Sequence, residues 1–437
     1  MANTELTTNA IERVDPTPLK IVVGGQSDGS HPHKHLLTSE LGFNRRLTSS
    51  SGCCYFPQPR IKGYSGKIVS LEFDPAKKTF QNLSATTGDS SGKAPSFIGF
   101  SPDGQCMFAS NEVSDFRGLA KTGSVASFKI GKDNTIQEIS TALTGADPAA
   151  LAVSPDGKNL ITAEYSGGSW SRHPLNNHCG FQSETPAQTM KYHGSGPNKE
   201  RQDQSYIHQV TYNHAGDLVF FVDLGGDSVY IHRVDRATGA VGDLAHEIKL
   251  PAGSGPRHLT IREKHQEYDI FLISELANKM FTIRLTDQDN KLESTIRQQL
   301  DTLPKSATNR SSYGAGEVML SRDGRFLYAT NRQTDFTKPI TDNSIVVFKR
   351  DLHSGLLIET SPVWFPIPVG GSTPRHFSLS NDRHQAFMVV GCQQSNTLLM
   401  FHRRSYDGTL NFMASTFVES PAVQLFIPDT EAYITYD

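Results

Sequence analysis

Two Pro-Arg-His steps, at residues 256–258 and 374–376, combine side chains that suggest chemistry. Arginine is a fixed, bidentate donor for a carboxylate, a phosphate or a developing oxyanion. Histidine and glutamate transfer protons near neutral pH. A set made of Arg257, His258 and Glu275 could therefore bind an anionic oxygen and move a proton beside it. This chemistry requires a fold that brings the three side chains together.

The elements that would position these residues form a repeat. Six times, a short apolar run passes through a turn of the type Ser-x-Asp-Gly, or a variant of it, into further apolar runs. Asp-Gly between two apolar runs indicates a β-hairpin, because glycine tolerates the positive φ of a tight turn. The units begin at Pro95, Pro148, Ile207, Pro256, Ala315 and Pro374. Four antiparallel strands repeated at roughly 40–60 residues are typical of propeller blades.

The two ends of the chain complement each other. The stretch from Ser420 has the pattern of a lone first strand, whereas the stretches that follow Lys20 and Gly66 supply a second, a third and a fourth strand. Together they would make a seventh blade, and closing the ring would remove exposed sheet edges. We therefore predict an all-β, seven-bladed β-propeller over residues 19–437, preceded by a flexible segment 1–18. Two β-sandwich domains are the alternative, but they do not explain the complementary ends.

In a propeller, the start of each innermost strand and the end of each second strand meet on one face, around the mouth of the central channel. Reading these positions through the repeat brings arginines, histidines and carboxylates to one end of the ring. We expect a catalytic group of Arg257, His258, Glu275, His208, Glu317 and Arg332. We expect a substrate-binding group of Arg375, His376, Tyr165, Gln393, Phe97 and Glu112. Structural roles stay open: the histidines of the Pro-Arg-His steps could cap strand starts, and Glu275 and Arg332 could form an ion pair between blades.

Four segments carry a resemblance to a known family: GPRHL at 255–259, SEL at 274–276, SRDGRFLYATNR at 321–332 and PRHF at 374–377. Taken together they resemble the 6-phosphogluconolactonase and carboxy-cis,cis-muconate cyclase family of seven-bladed propellers. The resemblance extends over nearly the whole chain and implies the propeller fold. His208 falls where the family also has a histidine. WD40 repeats are not supported, because the chain has two tryptophans and no Trp-Asp pair.

One departure from the family pattern lies at the start of the second repeat. The family has a Cys-His or similar step there, and that histidine is thought to serve in the muconate cyclases. Here the matching positions are Ala149 and Ala150, so the acid–base role cannot be carried over to this site. A carboxy-muconate substrate is therefore disfavoured, and the two small side chains would leave room for a larger, more apolar substrate.

Three long insertions are predicted on the face that carries the site, near residues 26–65, 179–206 and 333–343. Long loops over one mouth are typical of a lid or a wall around a pocket. The first insertion contains His31, His33 and His35, but alternating histidines without a carboxylate partner do not predict a metal site. The sequence has no Gly-rich phosphate loop. We therefore expect a site with no cofactor and no metal.

Composition excludes several classes of partner. The net charge of −3 and the absence of a basic stripe argue against nucleic-acid binding. No run of apolar residues is long enough to span a membrane. The odd number of cysteines and their spacing match no metal or redox motif, and the N-terminus is polar, so we predict free thiols and a cytoplasmic protein. The cysteines are Cys53, Cys54, Cys106, Cys179 and Cys392. A ring closed by its own ends needs no partner, so we expect a monomer that acts on a small molecule.

Three functions stay open at this point. The main expectation is a cofactor-free, ring-forming enzyme that acts on a secondary metabolite at the propeller mouth. Such a cyclase or isomerase could be a lactonising cycloisomerase or a Diels–Alder-type cyclase. The second is a lactone hydrolase of the 6-phosphogluconolactonase type, using Arg257, His258, Glu275 and Arg332. The third is a non-catalytic interaction propeller, against which the convergent Arg-His-Glu set argues.

Overall fold

The computed structural model describes residues 17–26, 66–86, 92–338, 343–368 and 370–428. The strands are β1 (Leu19–Gly25), β2 (Ile68–Asp74), β3 (Thr79–Ala85), β4 (Pro95–Phe100), β5 (Met107–Asn111), β6 (Thr122–Ile130), β7 (Ile136–Gly145), β8 (Pro148–Val153), β9 (Asn159–Glu164), β10 (Ser169–Pro174), β11 (Gln188–Lys191), β12 (Ile207–Tyr212), β13 (Leu218–Asp223), β14 (Ser228–Val234), β15 (Val241–Lys249), β16 (Pro256–Lys264), β17 (Glu267–Ser274), β18 (Lys279–Gln288), β19 (Lys291–Asp301), β20 (Tyr313–Leu320), β21 (Phe326–Gln333), β22 (Ser344–Lys349), β23 (Val363–Pro366), β24 (Pro374–Leu379), β25 (Phe387–Cys392), β26 (Thr397–Arg403), β27 (Leu410–Phe417) and β28 (Pro421–Phe426). Two short 3₁₀ turns span Phe116–Gly118 and Arg310–Ser312.

The strands form seven antiparallel sheets of four strands each. From the innermost strand outward, the first to sixth blades are β4 to β7, β8 to β11, β12 to β15, β16 to β19, β20 to β23 and β24 to β27. The closing blade has the order β28, β1, β2, β3. The innermost strands contact one another in a closed cycle, in which β28 lies between β24 and β4. The predicted all-β, seven-bladed propeller is thus confirmed.

The ring closes where the sequence predicts it. β28 pairs antiparallel with β1, with Phe426 opposite Ile21 and Gln424 opposite Val23. One strand from the end of the chain therefore completes a sheet of three strands from its beginning. This pairing satisfies the backbone groups that an open edge would leave exposed.

The Ser-x-Asp-Gly turns work as local hydrogen-bonded units. In the first of them, Oδ1 of Asp103 accepts the hydroxyl of Ser101 and, at 3.1 Å, the backbone N–H of Gln105. Gly104 has a φ of 70°, a conformation that a side chain disfavours. The turns at Ser154 and Ser321 repeat the Ser–Asp bond. Each turn fixes the register between an innermost strand and its neighbour, and hence which side chains reach the opposite end of the ring.

The apolar core consists of separate layers between neighbouring sheets. Between the third and fourth blades, Phe220 and Val222 pack with Leu272 and Phe281, all of them buried. A similar layer with Phe271 lies between the fourth and fifth blades. Each sheet is thus buried on both faces by its neighbours. In the described part of the chain, no helix is long and apolar enough to cross a membrane.

A disulfide corrects one prediction. Cys106, beside the β4–β5 hairpin, is bonded to Cys179 in the β10–β11 connection. The prediction of free thiols is therefore wrong for these two cysteines. Free thiols at these positions consequently no longer support the prediction of a cytoplasmic protein. Their separation of 73 residues gives no local signal, because only the packing of adjacent blades brings them together. Cys392 is free and buried, whereas Cys53 and Cys54 lie outside the described residues.

The predicted lids need correction as well. The segment 179–206 is not one insertion, because β11 lies inside it and completes the second blade. Only residues 192–206 connect two blades on the face that carries the strand starts. Most of the first predicted lid, together with its three histidines, lies outside the described residues, as do residues 339–342 of the third. The N-terminal segment is described only from residue 17 onward.

Candidate functional site

The innermost strands of the first six blades share a distortion at or near their starts. The pairing of each with its neighbour shifts register there, as between Ile207 and Gln209, between Pro256 and His258, and between Pro374 and His376. Such bulges re-aim side chains and are frequent beside active sites. The residues at or beside these shifts include Ser96, Ala149, His208, Arg257, Glu317 and Arg375. The bulges therefore turn one side chain of each of these blades toward the axis.

These side chains surround a small cavity at the centre of the ring. The lining residues are Ser96, Phe97, Ala149, His208, Arg257, His258, Glu317, Arg375, His376 and Ala422. Every blade contributes at least one of them through its innermost strand. The cavity therefore combines cations, imidazoles and one carboxylate with a few apolar groups.

His258 lies between Glu317 and His208. Its Nδ1 is 2.8 Å from Oε2 and 2.9 Å from Oε1 of Glu317, and its Nε2 is 3.2 Å from Nδ1 of His208. An ionised carboxylate only accepts hydrogen bonds, so Nδ1 of His258 keeps its proton and donates to Glu317. Nε2 of His258 then accepts from Nδ1–H of His208. The three side chains form one hydrogen-bonded chain, in which Nε2 of His208 is left as an acceptor.

Charge and burial set the protonation of this chain. Burial alone would raise the pKa of the Glu317 carboxyl, but His258 and His376 hold that pKa at about 2. Burial lowers the pKa of His258, and Glu317 opposes this effect only in part. Burial, together with the charge of Arg257, places the pKa of His208 well below 6.5. At neutral pH the chain therefore combines an ionised carboxylate with neutral imidazoles that can accept a proton.

Glu275, just after β17, binds three guanidinium groups. Its Oε2 lies 2.5 Å from Nη2 of Arg332 and 3.1 Å from Nε of Arg257, and its Oε1 lies 2.7 Å from Nη2 of Arg201. Burial alone would raise the pKa of the Glu275 carboxyl, but the charges of Arg332, Arg201 and Arg257 outweigh it and keep that pKa far below its usual value. The Glu275–Arg332 ion pair, one of the structural alternatives, is thus present. One carboxylate cannot neutralise three cations, so positive charge remains for an incoming anion.

Arg257 joins the two clusters. Its Nη1 donates to the carbonyl oxygen of Gly316 at 2.8 Å, while its Nε faces Glu275. Burial and the charge of Arg332 lower its pKa to about 9, which leaves it charged at neutral pH. Arg257 therefore places a fixed cation at the wall of the cavity.

Arg375 is held by a second network on the other side of the cavity. Its Nη2 lies 3.3 Å from Oε2 of Glu112, and its Nη1 lies 3.5 Å from Oε1 of Gln393. Gln26 donates to Glu112 at 2.8 Å and accepts from Gln393 at 2.7 Å. Carboxylate and amides of the first, sixth and closing blades thus orient one guanidinium. His376 lies beside this network, with Nε2 3.5 Å from Oε2 of Glu317.

Aromatic rings complete the walls. Phe97 meets the rings of His258 and His376 edge-on, with centroids 6.2 and 6.1 Å apart. Tyr165 stacks on Tyr206 and meets His208 edge-on. These contacts limit the rotation of the imidazoles and keep water away from part of their surface.

The structure brings all of the predicted site residues to this one end of the ring, where each lines the cavity or contacts a residue that does, directly or through one neighbour. Sequence reasoning missed Arg201, which lies in the connection 192–206. Its only sequence signal is that it stands in a predicted lid. The two alanines of the second blade behave differently from the prediction: Ala149 lines the cavity, whereas Ala150 is buried in an apolar layer with Ile161 and Ala163. The described residues contain no cluster of metal-ligating side chains.

Comparisons with known proteins agree on one family. The family model described as "Lactonase, 7-bladed beta-propeller" matches residues 57–426. The 6-phosphogluconolactonase of Bacillus subtilis is 26% identical over 81% of this chain and 92% of its own length. That of Formosa agariphila is 27% identical over 76% of this chain and 88% of its own length. The solved structure of a periplasmic gluconolactonase from Pseudomonas aeruginosa superposes with a TM-score of 0.71, at 24% identity, over 94% of this chain and 99% of its own, and supports the fold.

These findings overturn the main functional expectation. The ring-forming enzyme of secondary metabolism is wrong, because the matching family and the named relatives are lactonases, and the alternative of a lactone hydrolase fits them better. The expectation relied on the missing histidine of the second blade, on the predicted lids and on room created by two alanines. Only Ala149 faces the cavity, and arginine and histidine side chains dominate the remaining wall.

Proposed function

The chain belongs to the seven-bladed β-propeller lactonase family, and on this premise we propose that it hydrolyses the lactone of a sugar acid at the axial cavity. The observation that carries the proposal is the buried chain from Glu317 through His258 to His208, set beside the guanidinium groups of Arg257 and Arg375. Ester hydrolysis needs a base for water and cations for the oxyanion, and both line the same small space.

The base in this mechanism is His208. With Nδ1–H of His208 donated to His258, Nε2 is the nitrogen that accepts a proton from a water molecule. The water oxygen attacks the carbonyl carbon of the lactone as this proton moves to Nε2. Glu317 holds His258 in the tautomer that accepts from His208, and it stabilises the positive charge that develops along the chain.

The cations act on the oxygen that becomes negative. Arg257 and Arg375 line the cavity, so either guanidinium can donate to the oxyanion of the tetrahedral intermediate. The ring C–O bond then breaks, and the protonated His208 returns its proton to the leaving alkoxide. The product is the open hydroxy acid, in which one water molecule has been added. Two cations also suit the carboxylate of that product.

The names of the relatives make 6-phosphogluconolactone the first substrate to test. Its phosphate would need cations besides the one at the carbonyl: with Arg257 at the oxyanion, Arg375 and Arg332 are the candidates for the phosphate. We propose 6-phosphogluconolactone or the unphosphorylated δ-gluconolactone as the natural class of substrate.

The test is a substrate panel followed by NMR and mass spectrometry at pH 6.5, where spontaneous opening is to be measured in parallel. The panel contains both lactones, an aromatic lactone and an acyclic ester. We expect a product heavier than the sugar lactone by one water, formed faster than in buffer alone. No acceleration with either sugar lactone would contradict the proposed function.

A further inference from the structure

Residues 192–206, which connect β11 to β12, form a strap that crosses the third blade. Its beginning is fixed by the backbone N–H of Tyr192, which donates to the carbonyl of Gly168 at 2.8 Å. Near its end, the fully buried Gln202 donates from Nε2 to the carbonyl of Leu224 at 2.9 Å and to Oδ1 of Asp227 at 2.7 Å. Both acceptors belong to the third blade, so the strap is anchored immediately next to Arg201.

Arg201 extends from this anchor to two other blades. Its Nη2 lies 2.7 Å from Oε1 of Glu275 in the fourth blade and 3.4 Å from the hydroxyl of Tyr165 in the second. The Arg201 side chain is 22% exposed and that of Glu275 is 4% exposed. The strap thus places a partly exposed cation from this face of the ring against a buried carboxylate.

The three guanidinium groups contact different oxygens of the Glu275 carboxylate. Arg201 binds Oε1, whereas Arg332 and Arg257 bind Oε2. Without Arg201 the carboxylate could rotate and offer either oxygen to the remaining arginines. Arg257 is the member of this cluster that lines the cavity, so rotation of Glu275 would displace a cation that faces the substrate.

We propose that Arg201 is a positioning residue for the lactonase reaction, acting through Glu275 on Arg257. The proposal rests on the proposed function and extends it to a residue of the strap. It makes the connection between the second and third blades part of the reacting site, although Arg201 itself need not touch the substrate.

A double-mutant cycle tests this route. The variants are Arg201→Met, Glu275→Gln and the two combined, with kcat and KM measured for the best lactone of the panel. We expect Arg201→Met to lower kcat/KM about tenfold in the wild-type background and by less than about twofold in the Glu275→Gln background, because the positioning route is already broken there. Arg201→Lys, which keeps the charge, should recover part of the loss.

Lys199→Met is the matched control, since Lys199 is an exposed cation of the same strap. It should leave kcat/KM unchanged. Thermal unfolding checks that each variant folds, and Glu275→Asp provides a second background if Glu275→Gln does not fold. Losses that multiply in the double variant, or no loss from Arg201→Met alone, would overturn the proposal while leaving the lactonase function intact. A wild-type protein that opens no lactone would instead overturn the function itself.

Discussion

Nδ1 of His258 lies 2.8 Å from Oε2 of Glu317, and both side chains are almost completely buried at the axis of the ring. The two residues come from the fourth and fifth blades, 59 positions apart. The same carboxylate also faces Nε2 of His376 from the sixth blade at 3.5 Å. One carboxylate thus links the innermost strands of three blades, and its charge fixes the tautomer of the histidine on which the proposed mechanism depends.

Glu317→Gln should abolish most of the activity with little change in substrate binding. An amide can donate to Nδ1 of His258, so the tautomer that accepts from His208 is no longer enforced, and the stabilising charge is lost. We expect kcat to fall about 10²- to 10⁴-fold, the range of a general-base contribution. Steady-state kinetics of the variant measure this fall. Glu293→Gln, an exposed change on β19, is the control and should be indistinguishable from the wild type.

The decline of kcat/KM on the acid side of the pH profile should be centred below pH 6.5. The base must be neutral to accept a proton, and burial holds the pKa values of His208 and His258 below 6.5. As the pH falls through 6.5, the imidazoles therefore stay neutral and activity persists, and it declines only at lower pH. Initial rates between pH 4.5 and 8, corrected for spontaneous lactone opening, test this. An acid limb centred at or above 6.5 would be incompatible with these histidines as the base.

His173, in β10, should make the fold sensitive to acid. In the described part of the chain, both of its ring nitrogens are buried without a hydrogen-bond partner, and burial with the nearby Arg172 charge lowers its pKa to about 4. The unfolded chain binds this proton near pH 6.5, so stability is complete above 6.5 and is lost as the pH falls from 6.5 toward 4. The expected contribution is about 3 kcal/mol.

Urea unfolding at pH 7 and at pH 4 measures this contribution through His173→Leu, a variant that cannot be protonated. Its free energy of unfolding should fall less between the two pH values than that of the wild type. The exposed His178, changed to Gln, serves as the control and should follow the wild type. Equal losses in the wild type and in His173→Leu would show that His173 is not responsible.

The disulfide should stabilise the fold without affecting the reaction. It links Cys106 to Cys179 across 73 residues, and closing a loop of this length in the unfolded chain corresponds to about 4 kcal/mol. The bond lies on the face opposite the strand starts, away from the cavity. The double variant Cys106→Ser, Cys179→Ser should therefore unfold at lower urea concentration but keep its kcat at 20 °C. This account would be contradicted if the double variant unfolded at the same urea concentration as the wild type, or if its kcat fell together with its stability.

The fold was predictable because each signal was local or repeated. The Asp-Gly turns and the alternating strands define the blades one at a time, and the strand pattern after Ser420 matches the place left by the first strands of the chain. The ring of site residues followed from the same repeat. Once the start of one innermost strand is known, His208, Arg257 and Arg375 occupy equivalent places in their blades.

What the sequence did not reveal depends on contacts between distant segments. Arg201 belongs to a connection outside the repeat, so no register argument places it beside Glu275. Cys106 and Cys179 meet only because the first and second blades pack together at the face opposite the strand starts. The choice of a ring-forming reaction failed for a related reason, since the direction in which Ala150 points depends on a bulge that the sequence pattern does not show.

The central claim is that the His258 chain catalyses lactone opening, and the rate of acid release from 6-phosphogluconolactone and δ-gluconolactone in a pH-stat tests it most directly. Wild-type protein is compared with His258→Gln and with His265→Asn, a control in the exposed β16–β17 turn, where the positive φ of 55° suits asparagine. We predict acceleration by the wild type and by His265→Asn, and a loss of at least about 10²-fold in His258→Gln. A wild type no faster than buffer, or a His258→Gln variant as fast as the wild type, would contradict the account.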